Sequence, residues 1–253
     1  MLIDTHCHLQ LTPFSPQPDS YITAARNSGV SAWIIPGINP TDWGRLHELS
    51  IQQSAVYPAF GIHPLATPLV TPPDLEYLEQ IAPTGVAIGE IGLDRRLPDI
   101  PRQEELFRSQ LRIARRYQLP VLIHCCRMIE RTLAILHEEY PSHPGGIMHG
   151  FSGSLESAQR CIRHNLAIGI GSRVTRAPSL RYLKMLTGLP PATLVLETDA
   201  PSAHDGCRNM PNCLNTIANA VATHRSVPYE QIAAETTATV RRIIPKLRPP
   251  TCS

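Results

Sequence analysis

Short apolar runs alternate with helical stretches along the chain, and few folds are compatible with this alternation. The runs begin near Leu2, Ser31, Val56, Val86, Val121, Gly146, Leu166 and Leu194. A spacing of roughly 20 to 35 residues is typical of βα units, which form parallel sheets. Eight such units close naturally into a barrel. The sequence therefore predicts an α/β protein, a single (β/α)8 TIM barrel that occupies residues 1–253 as one hydrolase domain.

Composition and charge exclude several classes of protein. Of the 253 residues, 42% are hydrophobic, so the chain can bury a large core and is neither disordered nor a disulfide-stapled miniprotein. The formal net charge of +2 at pH 7 argues against a basic field over the whole molecule. The seven cysteines are odd in number and show no CxxC spacing. The sequence shows neither a signal peptide nor a long apolar span. We expect a cytoplasmic protein with reduced thiols, no membrane association and no obligate protein partner.

The strongest local signal is the His6-Cys7-His8 motif at the end of the first apolar run. Side chains alternate along a strand, so His6 and His8 point to one face and Cys7 to the other. Two imidazoles on one face, about 7 Å apart, can close on a single metal ion. The motif predicts a metal site, and the alternative is a chance pair of surface histidines.

Four further apolar runs end in a side chain that can bind a metal. These are Glu90 at the tip of the fourth run and His124, His149 and Asp199 at the ends of the fifth, sixth and eighth runs. The carboxyl ends of barrel strands meet at one mouth, so these residues are expected to converge with the His6-Cys7-His8 motif. Six ligands exceed the need of one tetrahedral ion but suit two ions that share a carboxylate.

Glu90 is the acidic residue placed to bridge two ions. The two lysines of the chain, Lys184 and Lys246, do not end an apolar run, which excludes a bridging carboxylated lysine. Asp199 then serves as a terminal ligand that also moves the proton of a metal-activated water. The positive charge of two divalent ions exceeds the negative charge of these carboxylates and a bridging hydroxide. The mouth is therefore cationic and favours a phosphoester anion. Glu90 and Asp199 are thus the predicted catalytic residues.

Six sequence blocks follow one another in order along nearly the whole chain. They are IDTHCH (3–8), GIHP (61–64), GEIGLD (89–94), LPVLIH (119–124), HGFSG (149–153) and ETDAP (197–201). Together they resemble the TatD family of metal-dependent deoxyribonucleases, and the 150–154 stretch and short N-terminus favour its YjjV-like branch. The resemblance implies a metal-dependent barrel hydrolase with the ligands named above, an exonuclease-type activity on DNA in some members, and Mg, Mn or Zn as the ion.

The resemblance also implies a substrate contact. It places His63 at the rim of the mouth, near the scissile phosphate, where its imidazole could bind a phosphate oxygen. The alternative is a histidine that caps the turn before Pro64.

Several positions depart from the pattern of this family. Gln10 stands where many relatives carry an acidic residue, Cys125-Cys126 where Ser-Arg is common, and Arg95-Arg96 where an aromatic pair is frequent. None of them is a presumed ligand. All are expected to line the rim, so they bear on substrate contacts rather than on the metal site.

Four residues near the blocks are weaker candidates. Arg127 and Arg208 could bind a phosphate in a bidentate manner, with a solvated surface charge as the alternative. Asp94 could orient a ligand imidazole, or it could cap a loop. Glu197 lies two residues before Asp199 and is predicted to share its face and to pair with an arginine.

Two other functions fit the same residues. The same barrel could hydrolyse a carboxamide, lactone or ester, since one fold supports many chemistries. A binding protein could also retain metals without turnover. The leading prediction is a metal-dependent hydrolase with two divalent ions that acts on DNA, a nucleotide or another phosphoester.

Overall fold

A sheet of eight parallel strands forms the centre of the molecule in the computed structural model, which describes residues 1–15, 17–204 and 207–247. Each strand pairs with the next one in the sequence. The strands are β1 (Leu2–Asp4), β2 (Val30–Pro36), β3 (Val56–Phe60), β4 (Ala87–Asp94), β5 (Val121–Cys126), β6 (Gly146–Met148), β7 (Leu166–Ile170) and β8 (Leu194–Leu196). The predicted (β/α)8 architecture is confirmed, and every strand begins within one residue of its predicted start.

Backbone hydrogen bonds close the sheet between the segments that follow β1 and β8. The Thr5 N–H donates to the Leu196 carbonyl at 3.0 Å, and the Asp199 N–H donates to the His6 carbonyl at 2.8 Å. The closure makes the first and last strands of the sheet neighbours. Residues from opposite ends of the chain therefore meet at the carboxyl ends of the strands.

Helices follow the strands and cover the outside of the sheet. They are α1 (Asp19–Asn27), α2 (Trp43–Gln52), α3 (Pro72–Ile81), α4 (Ile100–Arg116), α5 (Ile129–Glu139), α6 (Leu155–Arg163), α7 (Leu180–Gly188), α8 (Leu214–Arg225) and α9 (Tyr229–Ile243). A short antiparallel pair, β9 (Ala203–His204) and β10 (Cys207–Arg208), precedes α8. Within the described residues, no helix has the length and apolar composition needed to cross a bilayer.

Two buried glutamines of α4 fix loops that lead to the mouth of the barrel. The Gln110 amide accepts the Ile62 N–H at 2.7 Å and donates to the Ile62 carbonyl at 3.1 Å. The Gln103 amide makes the same pair of bonds with the backbone of Asp94, at 2.9 and 3.2 Å. A buried amide that pairs with both the N–H and the carbonyl of one residue holds that backbone in place. Helix α4 thus positions the residue before His63 and the last residue of β4.

The interior of the barrel at the opposite end is apolar and closed. Each strand contributes to one buried cluster, which includes Ile3, Ile34, Ala59, Ala87, Leu122, Ile147, Ala167 and Val195. The end of α9 and the turn after it add Val240, Ile243, Ile244 and Leu247 to the same cluster. Inward apolar side chains from every strand form the layered core expected of such a barrel. We refer to this region as the closed end.

The predicted ends of β4 and β5 were wrong. Glu90 does not end its strand, because β4 continues to Asp94 and pairs with β5 up to Cys126. The pairing shifts register between Ile88 and Ile91, on either side of Glu90. Such an irregularity redirects a side chain without ending the strand. In the sequence, a buried acidic residue interrupts the apolar run and so resembles the end of a strand. In the structure, the strand continues past it.

Candidate metal centre

The residues predicted as metal ligands converge at the mouth. Three groups have potential ligand atoms within 4.8 Å of one another: His6, His149 and Asp199; His6, His8 and Glu90; and His63, Glu90 and His124. His6 and Glu90 are shared between groups, so the groups form one continuous cluster. All of these side chains are buried or half-buried. The cluster contains every residue of the predicted ligand set, together with His63.

Glu90 lies at the centre of the cluster. One carboxylate oxygen is 3.1 Å from His6 Nε2, and the other is 2.9 Å from His124 Nδ1 and 3.7 Å from His63 Nε2. Burial alone would raise the pKa of Glu90, but the facing imidazoles, chiefly His6 and His63, hold it well below its ordinary value. Its two oxygens thus face two different sets of nitrogens. A carboxylate that bridges two metal ions needs this arrangement.

Asp4 fixes the backbone on which His6 is placed. Its carboxylate accepts the His6 N–H at 3.2 Å and both the N–H and the hydroxyl of Thr198, at 3.0 and 2.6 Å. Burial raises the pKa of Asp4 to about 7, and the bonds from Thr198 oppose that rise. The residue ties the segment after β1 to the segment before Asp199. Sequence reasoning missed this role, and the only available signal was an acidic residue inside a buried strand.

His8 and His149 each have one ring nitrogen close to an oxygen outside the cluster. His8 Nδ1 lies 3.2 Å from the Pro36 carbonyl, and its Nε2 faces Asp199 at 3.6 Å. His149 Nδ1 lies 3.0 Å from Glu197 Oε1, and its Nε2 faces Asp199 at 3.8 Å. A carbonyl or carboxylate on one nitrogen fixes the tautomer and directs the other nitrogen to a metal.

The prediction that Glu197 pairs with an arginine was wrong. Its carboxylate is fully buried, lies against His149, and accepts the Gly150 N–H at 2.6 Å. Among the described residues, the neighbour of this carboxylate is the His149 ring, 3.0 Å away, and not an arginine inside the barrel or at its mouth. Gly169 provides the space, because a Cβ atom at this position would overlap with the Glu197 carboxylate. Although burial alone would lower the pKa of His149, Glu197 and Asp199 raise it to about 10.

His124 lies between two carboxylates. Its Nε2 is 3.0 Å from Asp94 Oδ2, while Nδ1 faces Glu90. Asp94 also accepts the Arg96 N–H at 2.8 Å and pairs with the Arg96 guanidinium at 2.6 Å. Burial would raise the pKa of Asp94, yet Arg96 and His124 lower it. Asp94 is therefore placed to orient the His124 imidazole, as one of its two sequence interpretations proposed.

The donor set fits a divalent cation. His6 Nε2 is 3.2 Å from His8 Nε2 and 3.1 Å from Glu90 Oε2, so electron pairs converge on one small region. Two ligands of a tetrahedral zinc ion, with bonds of 2.0–2.1 Å, are about 3.3 Å apart. The separations are thus close to those that a shared cation requires.

His63 and Asp199 face the open side of the cluster. His63 Nδ1 accepts the Leu65 N–H at 2.9 Å, so the turn-capping contact is present as well as the approach to Glu90. Burial lowers the pKa of His63 to about 4. The Asp199 side chain is 25% exposed, and its backbone has a φ of 52°. Burial would raise the pKa of Asp199, but His149, His6 and His8 lower it.

Some of the arginine candidates and of the residues that depart from the family pattern line a cavity at the mouth, and others do not. Arg127 is exposed and lines a cavity of about 540 Å³ beside His124 and His149. The side chain of Arg208 lies outside the described part of the structure. Cys125 and Cys126 both line the same cavity, and Cys125 Sγ lies 3.4 Å from the Thr132 hydroxyl.

Gln10 and Arg95 complete the set of departures. Gln10 is not at the rim as expected: it is buried behind His8, and its amide donates to the Pro36 carbonyl at 2.8 Å. It therefore shares an acceptor with the His8 ring. Arg95 is exposed, and its N–H donates to the Cys126 carbonyl at 3.0 Å.

Comparison with known proteins gives consistent relatives. The sequence profile of a family described as TatD related DNase matches residues 3–245. YabD of Bacillus subtilis (strain 168), named as a metal-dependent hydrolase, is 32% identical over 251 residues, which cover 96% of this chain and 98% of that protein. The 3′-5′ ssDNA/RNA exonuclease TatD of Escherichia coli (strain K12) is 30% identical over 255 residues, with coverage of 96% and 98%.

A solved structure gives the same result for the fold. The crystal structure of YjjV from Escherichia coli K12, described as a TatD homologue, superposes with a TM-score of 0.90 at 32% sequence identity. The match covers 96% of this chain and 98% of that one. The resemblance inferred from the six sequence blocks, including the likeness to YjjV, is thereby confirmed.

Proposed function

We propose a function from one premise: the chain belongs to the family of TatD-related DNases. We propose that it is a metal-dependent hydrolase that cleaves phosphoester bonds, with DNA or a nucleotide as its substrate. The position of Glu90 carries this proposal. A buried carboxylate with imidazoles on both of its oxygens suits two ions that share one ligand.

Two divalent ions would be held by the converging side chains. The proposed ligands are His6, His8, Glu90, His124, His149 and Asp199, with Mg, Mn or Zn as the ion. When bound, such ions supply Lewis acidity that lowers the pKa of a water molecule and offsets the negative charge of a phosphate. Asp94 and Glu197 would orient two of the imidazoles through their outer ring nitrogens.

Asp199 and His63 would act directly on the substrate side. The lowered pKa of Asp199 keeps it a carboxylate at neutral pH, so it can accept the proton of the attacking water. His63 Nδ1 already accepts a hydrogen bond, and a neutral ring therefore carries its proton on Nε2. That Nε2–H could donate to a phosphate oxygen. We accordingly propose His63 as a substrate-binding residue and not as a ligand.

The setting of this activity is also a proposal. We propose one catalytic domain over residues 1–253, in keeping with the match over residues 3–245. Cys7, Cys125, Cys126, Cys161 and Cys213 are free thiols, which is consistent with a reducing compartment such as the cytoplasm.

A substrate panel tests the proposal. Purified protein is incubated with single-stranded DNA, bis(p-nitrophenyl) phosphate, and small ester, lactone and amide substrates, each with manganese and with a chelator. We expect hydrolysis of the phosphoesters only, lost with the chelator and lowered at least about 1,000-fold by Glu90→Gln. Glu76→Gln on the exposed face of α3 is the matched control. Turnover of only the carbonyl substrates, or none despite full metal loading, would contradict the proposal.

A further inference from the structure

The mouth of the barrel has two unlike halves. The first is a cavity of about 540 Å³ that we call the arginine half, after Arg127, Arg173 and Arg176 in its wall. The second is a cavity of about 470 Å³ that we call the apolar half, after Leu11, Ile38, Leu65 and Pro201 in its wall. Arg96, His124, His149 and Asp199 line both cavities. The wall of the apolar half also contains His8, His63 and Glu90, so the candidate metal centre lies on the apolar side of the boundary between the two halves.

Two arginines of the arginine half have no partner for their guanidinium groups among the described residues, although the carboxylates of Glu197 and Asp199 line the same cavity. The side chains of Arg127 and Arg173 make no hydrogen bond or ion pair with the described residues, and both residues are exposed. Two arginines on the outside of the barrel differ in this respect, because Arg108 and Arg112 pair with Glu139 at 2.7 and 2.8 Å. Guanidinium groups without a carboxylate partner, in the wall of a cavity, are available to bind an anion.

A buried hydroxyl in the same wall also lacks a partner. Tyr182 is 4% exposed and lines the arginine half. Its hydroxyl oxygen is buried and has no hydrogen-bond partner among the described residues. Buried polar groups are normally paired, and an unpaired one carries a free-energy cost. An oxyanion that entered the cavity could accept this hydrogen bond along with those of the arginines.

We propose that the arginine half binds the phosphate next to the scissile one, while the apolar half accepts the terminal nucleoside. This inference rests on the proposed phosphoesterase function and adds a direction to it. The continuing strand lies over the arginine half, and the nucleoside that is removed lies on the apolar side. The enzyme therefore hydrolyses a phosphodiester faster when a second phosphate adjoins it than when it is isolated.

Three thymidine dinucleotides test this arrangement. Each contains one phosphodiester, and they carry no terminal phosphate, a 5′-phosphate or a 3′-phosphate. We expect the wild-type enzyme with manganese to hydrolyse one of the two phosphorylated dinucleotides with a kcat/KM about 10- to 100-fold above that of the unphosphorylated one. The preferred end identifies which strand end occupies the arginine half. In Arg173→Gln and Arg127→Gln, the ratio of these kcat/KM values should fall toward 1.

Arg163→Gln is the matched control, because Arg163 is an exposed arginine on the outer helix α6 and should retain the wild-type ratio. Equal kcat/KM values for all three dinucleotides in the wild type would overturn the inference and leave the proposed function standing. A preference that survived both arginine substitutions would also overturn it. If no dinucleotide, DNA strand or bis(p-nitrophenyl) phosphate were hydrolysed, both proposals would fall.

Discussion

The two ends of the barrel bury different kinds of side chain. At the closed end, Ile34, Val195 and Ile244 are fully buried in a cluster of aliphatic groups. At the mouth, Asp4 and Glu197 are just as fully buried, although both are acidic. Burial of aliphatic surface stabilises the fold by about 25 cal/mol per Å². Burial of a carboxylate opposes folding unless hydrogen bonds or opposite charges compensate.

This contrast separates stability from chemistry within one domain. The buried cluster at the closed end consists of aliphatic side chains, with Tyr57 packed against it, and it contributes mainly packing. The mouth holds acids and imidazoles in positions that the backbone near Asp4 and Thr198 fixes. Substitutions at the mouth should therefore change metal binding more than stability, and substitutions at the closed end should do the opposite.

The largest effect is expected from removal of a proposed ligand at the mouth. His124→Ala deletes the nitrogen that faces Glu90, and we expect metal affinity to fall by more than about 100-fold with the fold intact. Elemental analysis after dialysis and the thermal midpoint of the metal-free protein measure the two effects. His47→Ala on the outer helix α2 is the control. Unchanged metal stoichiometry would refute His124 as a ligand.

The next largest effect belongs to the closed end. Ile243→Ala removes three carbons from a side chain that is 1% exposed, and we expect a loss of about 2–4 kcal/mol in the free energy of unfolding. Metal stoichiometry and kcat at a temperature where the variant is folded should stay at wild-type values. Ile51→Ala, at a site 71% exposed, should cost little. Loss of metal by Ile243→Ala without unfolding would show that the two ends are coupled.

The strand starts could be predicted because buried parallel strands read as continuous apolar runs. The ends of β4 and β5 could not, because Glu90 and His124 interrupt the apolar run while the backbone pairing continues. The convergence of the proposed ligands followed from one rule, that carboxyl ends of barrel strands meet. The partners of the ligands did not follow. Alternation places Glu197 on an inward face, but whether an arginine or His149 lies there depends on packing across the barrel.

Glu197→Gln tests the role of Glu197 as the partner of His149, and we expect an intermediate effect on metal affinity. It keeps the shape of the side chain but removes the charge beside His149 Nδ1, and we expect metal affinity to fall about 10- to 100-fold. The pKa of His149 in the metal-free protein, followed by NMR, should fall from about 10 because Glu197 raises it. Glu76→Gln serves again as the control. An unchanged metal affinity together with an unchanged pKa would show that Glu197 only fills space.

The smallest effect concerns Asp42, which lies near the mouth but outside the cluster. It accepts the Ile38 N–H at 3.0 Å, and burial raises the pKa of its carboxyl from 3.8 to about 6 against the opposing bonds from Ile38 and Gln10. The folded state therefore holds this proton more tightly than the unfolded state. The stability that protonation contributes is complete below about pH 4 and is lost as the pH rises to about 6.

Asp42→Asn keeps a neutral side chain at every pH, so it should remove this loss. With chelator present, the thermal midpoint of the variant relative to the wild type should rise between pH 4 and pH 7 by a few degrees at most. Asp74→Asn, in the capping box of α3, provides the control, since that substitution removes a favourable negative charge from the first turn of a helix. A difference in midpoint that stays constant across this range would mean that Asp42 is as well solvated in the folded protein as in the unfolded chain. The polar burial that distinguishes the mouth from the closed end would then stop short of this residue.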